Sequence, residues 1–115
     1  MNPVDSLLYL TRDCGLPELK KEVQLVDGRK WRVDLCNREF GVVVEYEGLR
    51  ADGLTRHQMR QGYTKDCEKY NEIALLDFLI LRITYDHIQN GLAIEWIKKA
   101  FFLKGYLPSI DKDTW

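Results

Sequence analysis

Cysteine is scarce in this chain. Cys14, Cys36 and Cys67 are the 3 present, an odd number with no CxxC pair and no histidine at zinc-ligand spacing. That excludes a disulfide scaffold and a zinc ribbon, and it leaves free thiols in a reducing compartment. An excess of one charge is also missing. Lys and Arg number 17 against 18 Asp and Glu, for a formal net charge of −1. Overall charge therefore gives no general attraction to nucleic acid, and any polyanion site has to be a local patch. No apolar run reaches the roughly 20 residues of a membrane span. The start, MNPVDSLLYL, has no basic segment and carries an acid, which speaks against a secretory signal. Internal repeats and low-complexity linkers are lacking as well.

What is there suits one globular domain. The 115 residues are 45% hydrophobic and 30% charged, too apolar for a disordered chain. The expected organisation is a single domain over 1–115, with a core over about 17–103 and a tail over 105–115. The expected compartment is the cytoplasm.

Asn2 and Pro3 mark a helix start, with Asn2 as cap and Pro3 in the first turn. Val4, Leu7 and Leu8 share a face, and Gly15 and Pro17 stop the helix. Residues 19–26 alternate in the manner of a strand. Asp27 and Gly28 then signal a two-residue hairpin, leading to a second strand over 29–36. A turn over 37–39 leads to a third strand over 40–47. Residues 48–64 read as a long polar loop that holds three glycines and no settled period. Thr64 can cap a helix over 65–77, with Asp66 and Glu68 in its first turn. The apolar run 79–84 suits an internal strand, and a crossover places it beside the meander in a mixed sheet. Asp86 can cap a last helix over 87–102, with Ile88, Leu92, Trp96 and Ala100 packed on the sheet.

Candidate chemistry concentrates between Trp31 and Glu47. Glu45 and Glu47 lie two apart on a strand and so point the same way, while Val42, Val44 and Tyr46 point to the other face. If the second and third strands pair through their turn, Asp34 faces the same cleft as the glutamates. Three carboxylates at a strand end offer the hard oxygen ligands that Mg²⁺ needs, and they are costly to cluster without a cation. The bland alternative is three solvated acids at strand ends. The loop that follows is locally basic, with Arg50, Arg56 and Arg60 against Asp52 and with His57 among them.

At this point the residues resemble a family. Asp34, then Glu45-Tyr46-Glu47, then Arg56-His57, Gly62-Tyr63 and Asp66-Cys67-Glu68-Lys69-Tyr70-Asn71 are similar to the PD-(D/E)XK nuclease superfamily. More narrowly, they resemble its small phage and prophage restriction-endonuclease-like members. The likeness runs over most of the chain, from about Pro17 to Phe101. It implies an α/β fold with an αβββαβ core, a mixed sheet flanked by helices. It implies a Mg²⁺-dependent DNA endonuclease, with Mn²⁺ able to substitute, acting as a homodimer and without a membrane. For a phage-encoded chain the compartment is the bacterial host cytoplasm.

Residue by residue, Asp34 matches the first acid and Glu45 the second. The resemblance implies that these two are metal ligands, with the backbone carbonyl of Tyr46 as a third. Glu47 stands where many members carry lysine, which is a departure. It is open to two roles, general base or ligand of a second metal. Lys69, or else Lys65, can supply the missing cation. Arg50, Arg56, His57, Arg60 and Lys65 are the candidate nucleic-acid contacts, against the alternative of solvated surface charges. Trp31, Tyr70 and Trp96 read as core. A domain this small has little room for sequence readout, so cutting is expected to be structure-selective or weakly specific. Two rival readings stand beside this one. One is a nuclease-fold binding module without catalysis, and the other is an interaction or inhibitor protein using the acidic face.

Overall fold

The computed structural model describes residues 1–48 and 56–108, with side chains omitted for 56–60. The first helix, α1, spans Pro3–Asp13, and the Asn2 side chain accepts the Asp5 N–H as its cap. Four strands follow in one sheet of order β1-β2-β3-β4: β1 Lys20–Gln24, β2 Arg32–Asn37, β3 Val42–Tyr46 and β4 Leu79–Ile83. The first three form the expected antiparallel meander. β4 joins β3 in parallel, with Val42 beside Leu79 and Tyr46 beside Ile83. Helix α2, Arg56–Leu75, makes the crossover between them. Helices α3, Tyr85–Gln89, and α4, Leu92–Leu103, close the chain. The sheet is therefore mixed and flanked by helices, as the sequence implied.

Each face of the sheet has its own core. Leu35, Val42, Val44 and Ile83 face one way and pack with Leu7 of α1 and Ala93, Ile97, Ala100 and Phe101 of α4. Phe40, Phe101 and Tyr106 meet edge to face at centroid distances of 5.6–6.2 Å. The other face, with Val33, Cys36 and Val43, packs on Ile73 of α2. β3 is buried on both faces except at its end, which is how a strand between two neighbours should read. The three thiols are free: Cys14 exposed, Cys36 buried and Cys67 half-buried. Burial pushes the Cys36 thiol up to about 11, so it stays protonated. No described helix is long and apolar enough to cross a membrane.

Four local expectations change. The segment from Asp27 and Gly28 does make a turn, with the Arg29 N–H on the Val26 carbonyl, but strand pairing resumes only at Gln24 and Arg32. α2 begins at Arg56, not at residue 65, so Gly62 and Thr64 lie inside the helix and Thr64 is not its cap. The cause is visible in its burial: residues 61–66 are all exposed, so no apolar period marks that part of the helix. The expected helix over 87–102 is two helices, broken at Gly91, whose φ of +84° leaves the right-handed region. The break resets the face, so Leu92 is exposed and Ala93 and Ile97 are buried instead. Thr84, not Asp86, precedes α3, and the Thr84 N–H donates to His87 Nδ1 at 3.0 Å.

Candidate active site

β2 and β3 pair regularly only as far as Leu35 and Val44. Beyond that rung each strand sends a carboxylate to the other's backbone. The Asp34 N–H donates to Glu45 Oε1 at 2.9 Å, and the Tyr46 N–H donates to Asp34 Oδ2 at 2.8 Å. The two acids thus take over amides that the ladder no longer satisfies, which fixes both carboxylates at the mouth between the strands. Across the sheet, β1 is irregular at the same level. Its pairing with β2 skips Glu22, opposite Asp34, and Glu22 holds a φ of +55°.

Glu45 is the one buried acid of the described residues, at 6% exposure. It shares the α2 side of β3 with Val43, so the helix passes over it. Lys69 Nζ lies 3.5 Å from Glu45 Oε2, and its shorter bond, 2.7 Å, goes to the Arg32 carbonyl. The Tyr70 hydroxyl lies 3.3 Å from Glu45 Oε2 and 3.3 Å from Glu47 Oε1. Burial raises the Glu45 carboxyl above its ordinary value and the negative charge of Asp34 adds to this, while Lys69 and the Asp34 amide oppose the rise. Burial raises the Tyr70 phenol as well, helped by the charges of Glu45 and Glu47, so it remains a proton-bearing donor.

Glu47 does not complete a three-acid cluster. Arg82 Nε donates to Glu47 Oε1 at 2.7 Å and draws it toward β4. Among the described residues no group of three or more His, Cys, Asp or Glu side chains could hold a metal ion. The expectation of three carboxylates around one ion is corrected accordingly: Asp34 and Glu45 sit on each other's strands, while Glu47 is paired with Arg82 and meets Glu45 only through the Tyr70 hydroxyl.

Of the other expected site residues, Lys69 joins the carboxylates and Lys65 does not; it is exposed on α2. Arg50 lies outside the described residues. Arg56, His57 and Arg60 open α2, and their side chains lie outside the description. Tyr70 and Arg82 were missed. Tyr70 read as core, yet it is only half-buried and its hydroxyl belongs to the acidic cluster. The sequence signal at Arg82 is that it is the one charged residue in the apolar run of β4. Trp96 packs against the core as expected, beside the His87 ring at 4.7 Å.

Among solved structures, the chain is similar to the catalytic domain of the homing endonuclease I-Bth0305I. The TM-score is 0.68 with 15% sequence identity, over 92% of this chain and 99% of that one. The chain has the fold of that nuclease domain. No protein-family model matches the chain, and no curated protein matches it.

Proposed function

We propose that this chain is a metal-dependent DNA endonuclease of the PD-(D/E)XK type. The observation that carries the reading is the reciprocal seating of Asp34 and Glu45 on each other's strands, beside Lys69, in a fold shared with a nuclease domain. The donor set fits a hard divalent cation. Mg²⁺ takes one or two protein carboxylates and keeps several waters, so a two-acid site serves where a three-acid cluster is lacking. The buried Glu45 carboxylate, whose burial opposes its charge, is the kind of group that a cation compensates. Asp34 and Glu45 would hold the ion, with the Tyr46 carbonyl beside them. When bound, Mg²⁺ would neutralise phosphate charge and make water a stronger nucleophile near neutral pH.

The chain's own residues divide the remaining work. Lys69, steadied by the Arg32 carbonyl, supplies positive charge next to Glu45 and takes the place of the lysine replaced by Glu47. Tyr70 keeps its proton and ties Glu45 to Glu47. Arg50, Arg56, His57, Arg60 and Lys65 remain the proposed backbone contacts to DNA. A homodimer would present two such sites to two strands. A binding module without catalysis is the second reading, favoured by the loss of Glu47 to Arg82.

The test is cleavage of supercoiled plasmid, single strands and branched DNA with Mg²⁺ or Mn²⁺. Metal-dependent cutting is expected for the wild type, abolished in Asp34→Ala and Glu45→Ala and reduced by about 100-fold or more in Lys69→Met. Absence of cutting, with DNA binding indifferent to metal and to both acid substitutions, would favour the binding module.

A further inference from the structure

Arg82 sits on the α2 side of β4, two residues from Ile80 and in parallel register with Glu45. Two contacts orient its guanidinium. Nε donates to Glu47 Oε1 at 2.7 Å, and the guanidinium carbon lies 4.6 Å from the centroid of the Tyr70 ring. Tyr70 is anchored in turn by its hydroxyl contacts with Glu45 and Glu47. The Arg82–Glu47 pair is a poor device for stability. Its side chains are 50% and 35% exposed, and an ion pair that open to water adds little to stability. It is a better device for orientation. A guanidinium has five N–H donors in a rigid fork, and among the described residues only Nε has a hydrogen-bond partner. A cavity of about 250 Å³, lined by Tyr46, Glu47, Thr84, Tyr85 and Asp86, opens beside the same glutamate.

The geometry points to Arg82 as a phosphodiester-binding residue, pre-oriented by Glu47 and Tyr70 so that its Nη groups meet phosphate oxygens next to the Asp34–Glu45 pair. The inference rests on the DNA-cleaving function proposed above. It makes Glu47 a positioning residue, in place of the general base or second-metal ligand that its position in the sequence suggested. Side-chain entropy that a free arginine would lose on binding is already spent in the contacts with Glu47 and Tyr70.

The experiment is fluorescence anisotropy of a labelled DNA duplex in Ca²⁺, across a salt series, for the wild type, R82K, E47Q and the double variant E47Q/R82A. Melting curves check that each variant folds. The double variant has the same net charge as the wild type, so charge balance alone predicts equal binding. A phosphate contact instead predicts binding about tenfold weaker than the wild type, with a salt dependence shallower by about one ion. R82K is expected to keep the wild-type salt dependence and to bind with intermediate affinity, since lysine keeps the charge and loses the fork. Binding by E47Q/R82A within about twofold of the wild type overturns the role of Arg82 and leaves the nuclease reading intact. A wild type that binds neither the duplex nor single-stranded or branched DNA under the same conditions overturns both.

Discussion

Glu45 shows how one side chain can serve a site at the expense of the fold. Its carboxyl is raised by burial first, and that direction sets the sign of the pH dependence. A carboxyl raised in the folded state contributes full stability below its unfolded pKa of about 4.3, and that stability is lost as the pH climbs through the folded value. Glu45→Gln does not titrate and keeps an oxygen to accept the Asp34 amide. It is expected to melt a few degrees above the wild type at neutral pH, while abolishing cutting. The gap should close as the pH falls toward 4. Thermal melting from pH 4 to 8 checks this. A gap that widens toward low pH would mean that the ion pair with Lys69, and not burial, dominates the site.

At the scale of elements, two glycines separate conformational need from steric need. Gly91 has a φ of +84° with open space where a Cβ would stand. Gly41 has a φ of +74°, and its Cβ would lie 3.3 Å from the Asp77 carbonyl oxygen and 3.2 Å from Lys104 Cε. Gly41 also sits where β4 begins, its carbonyl accepting the Leu79 N–H at 2.8 Å. Gly91→Ala is expected to cost about 1 kcal/mol through backbone strain alone. Gly41→Ala should cost about 2 kcal/mol or more, because strain and contact add. Urea unfolding of both variants gives the order, and equal losses would mean that the Gly41 surroundings yield freely.

At the scale of the whole molecule, the two faces of the sheet are unequally secured. The α1 and α4 side holds ten buried residues in one cluster, including Phe101 and Ile97. Among the described residues the α2 side holds four, and Ile73 is the one buried residue of α2 between positions 61 and 75. Local opening follows such differences in apolar contact. Amides of α2 are therefore expected to exchange with deuterium faster than those of α4, by tenfold or more, under native conditions. Lys69 and Tyr70 ride on this weaker element, so Ile73→Ala should lower activity at temperatures where the sheet is still folded. Equal protection of α2 and α4 would remove that expectation.

Much of this architecture was written in short-range patterns. The Asn2 cap, the three-strand meander and the apolar run of β4 depend on neighbours in the chain, and each appeared in the order the residues placed it. Asp34 and Glu45 were legible because pairing through a short turn brings their strands together. The start of α2 was not legible, because an exposed helix leaves no apolar period to read. The apolar spacing over 87–102 runs through Gly91 as one helix, whereas in the structure α3 ends before it and α4 begins after it.

What the sequence by itself determined is the four strands, their order, and the acids at one end of the sheet. What only the tertiary structure decided is which charges meet. Arg82 reaches Glu47 from a strand 35 residues away in sequence, and Lys69 comes to Glu45 across 24. Those meetings depend on a parallel register and on the seating of Ile73 against Val33, Cys36 and Val43. Long-range packing of that kind is set by the shape and burial of whole faces, and no local pattern of residues encodes it.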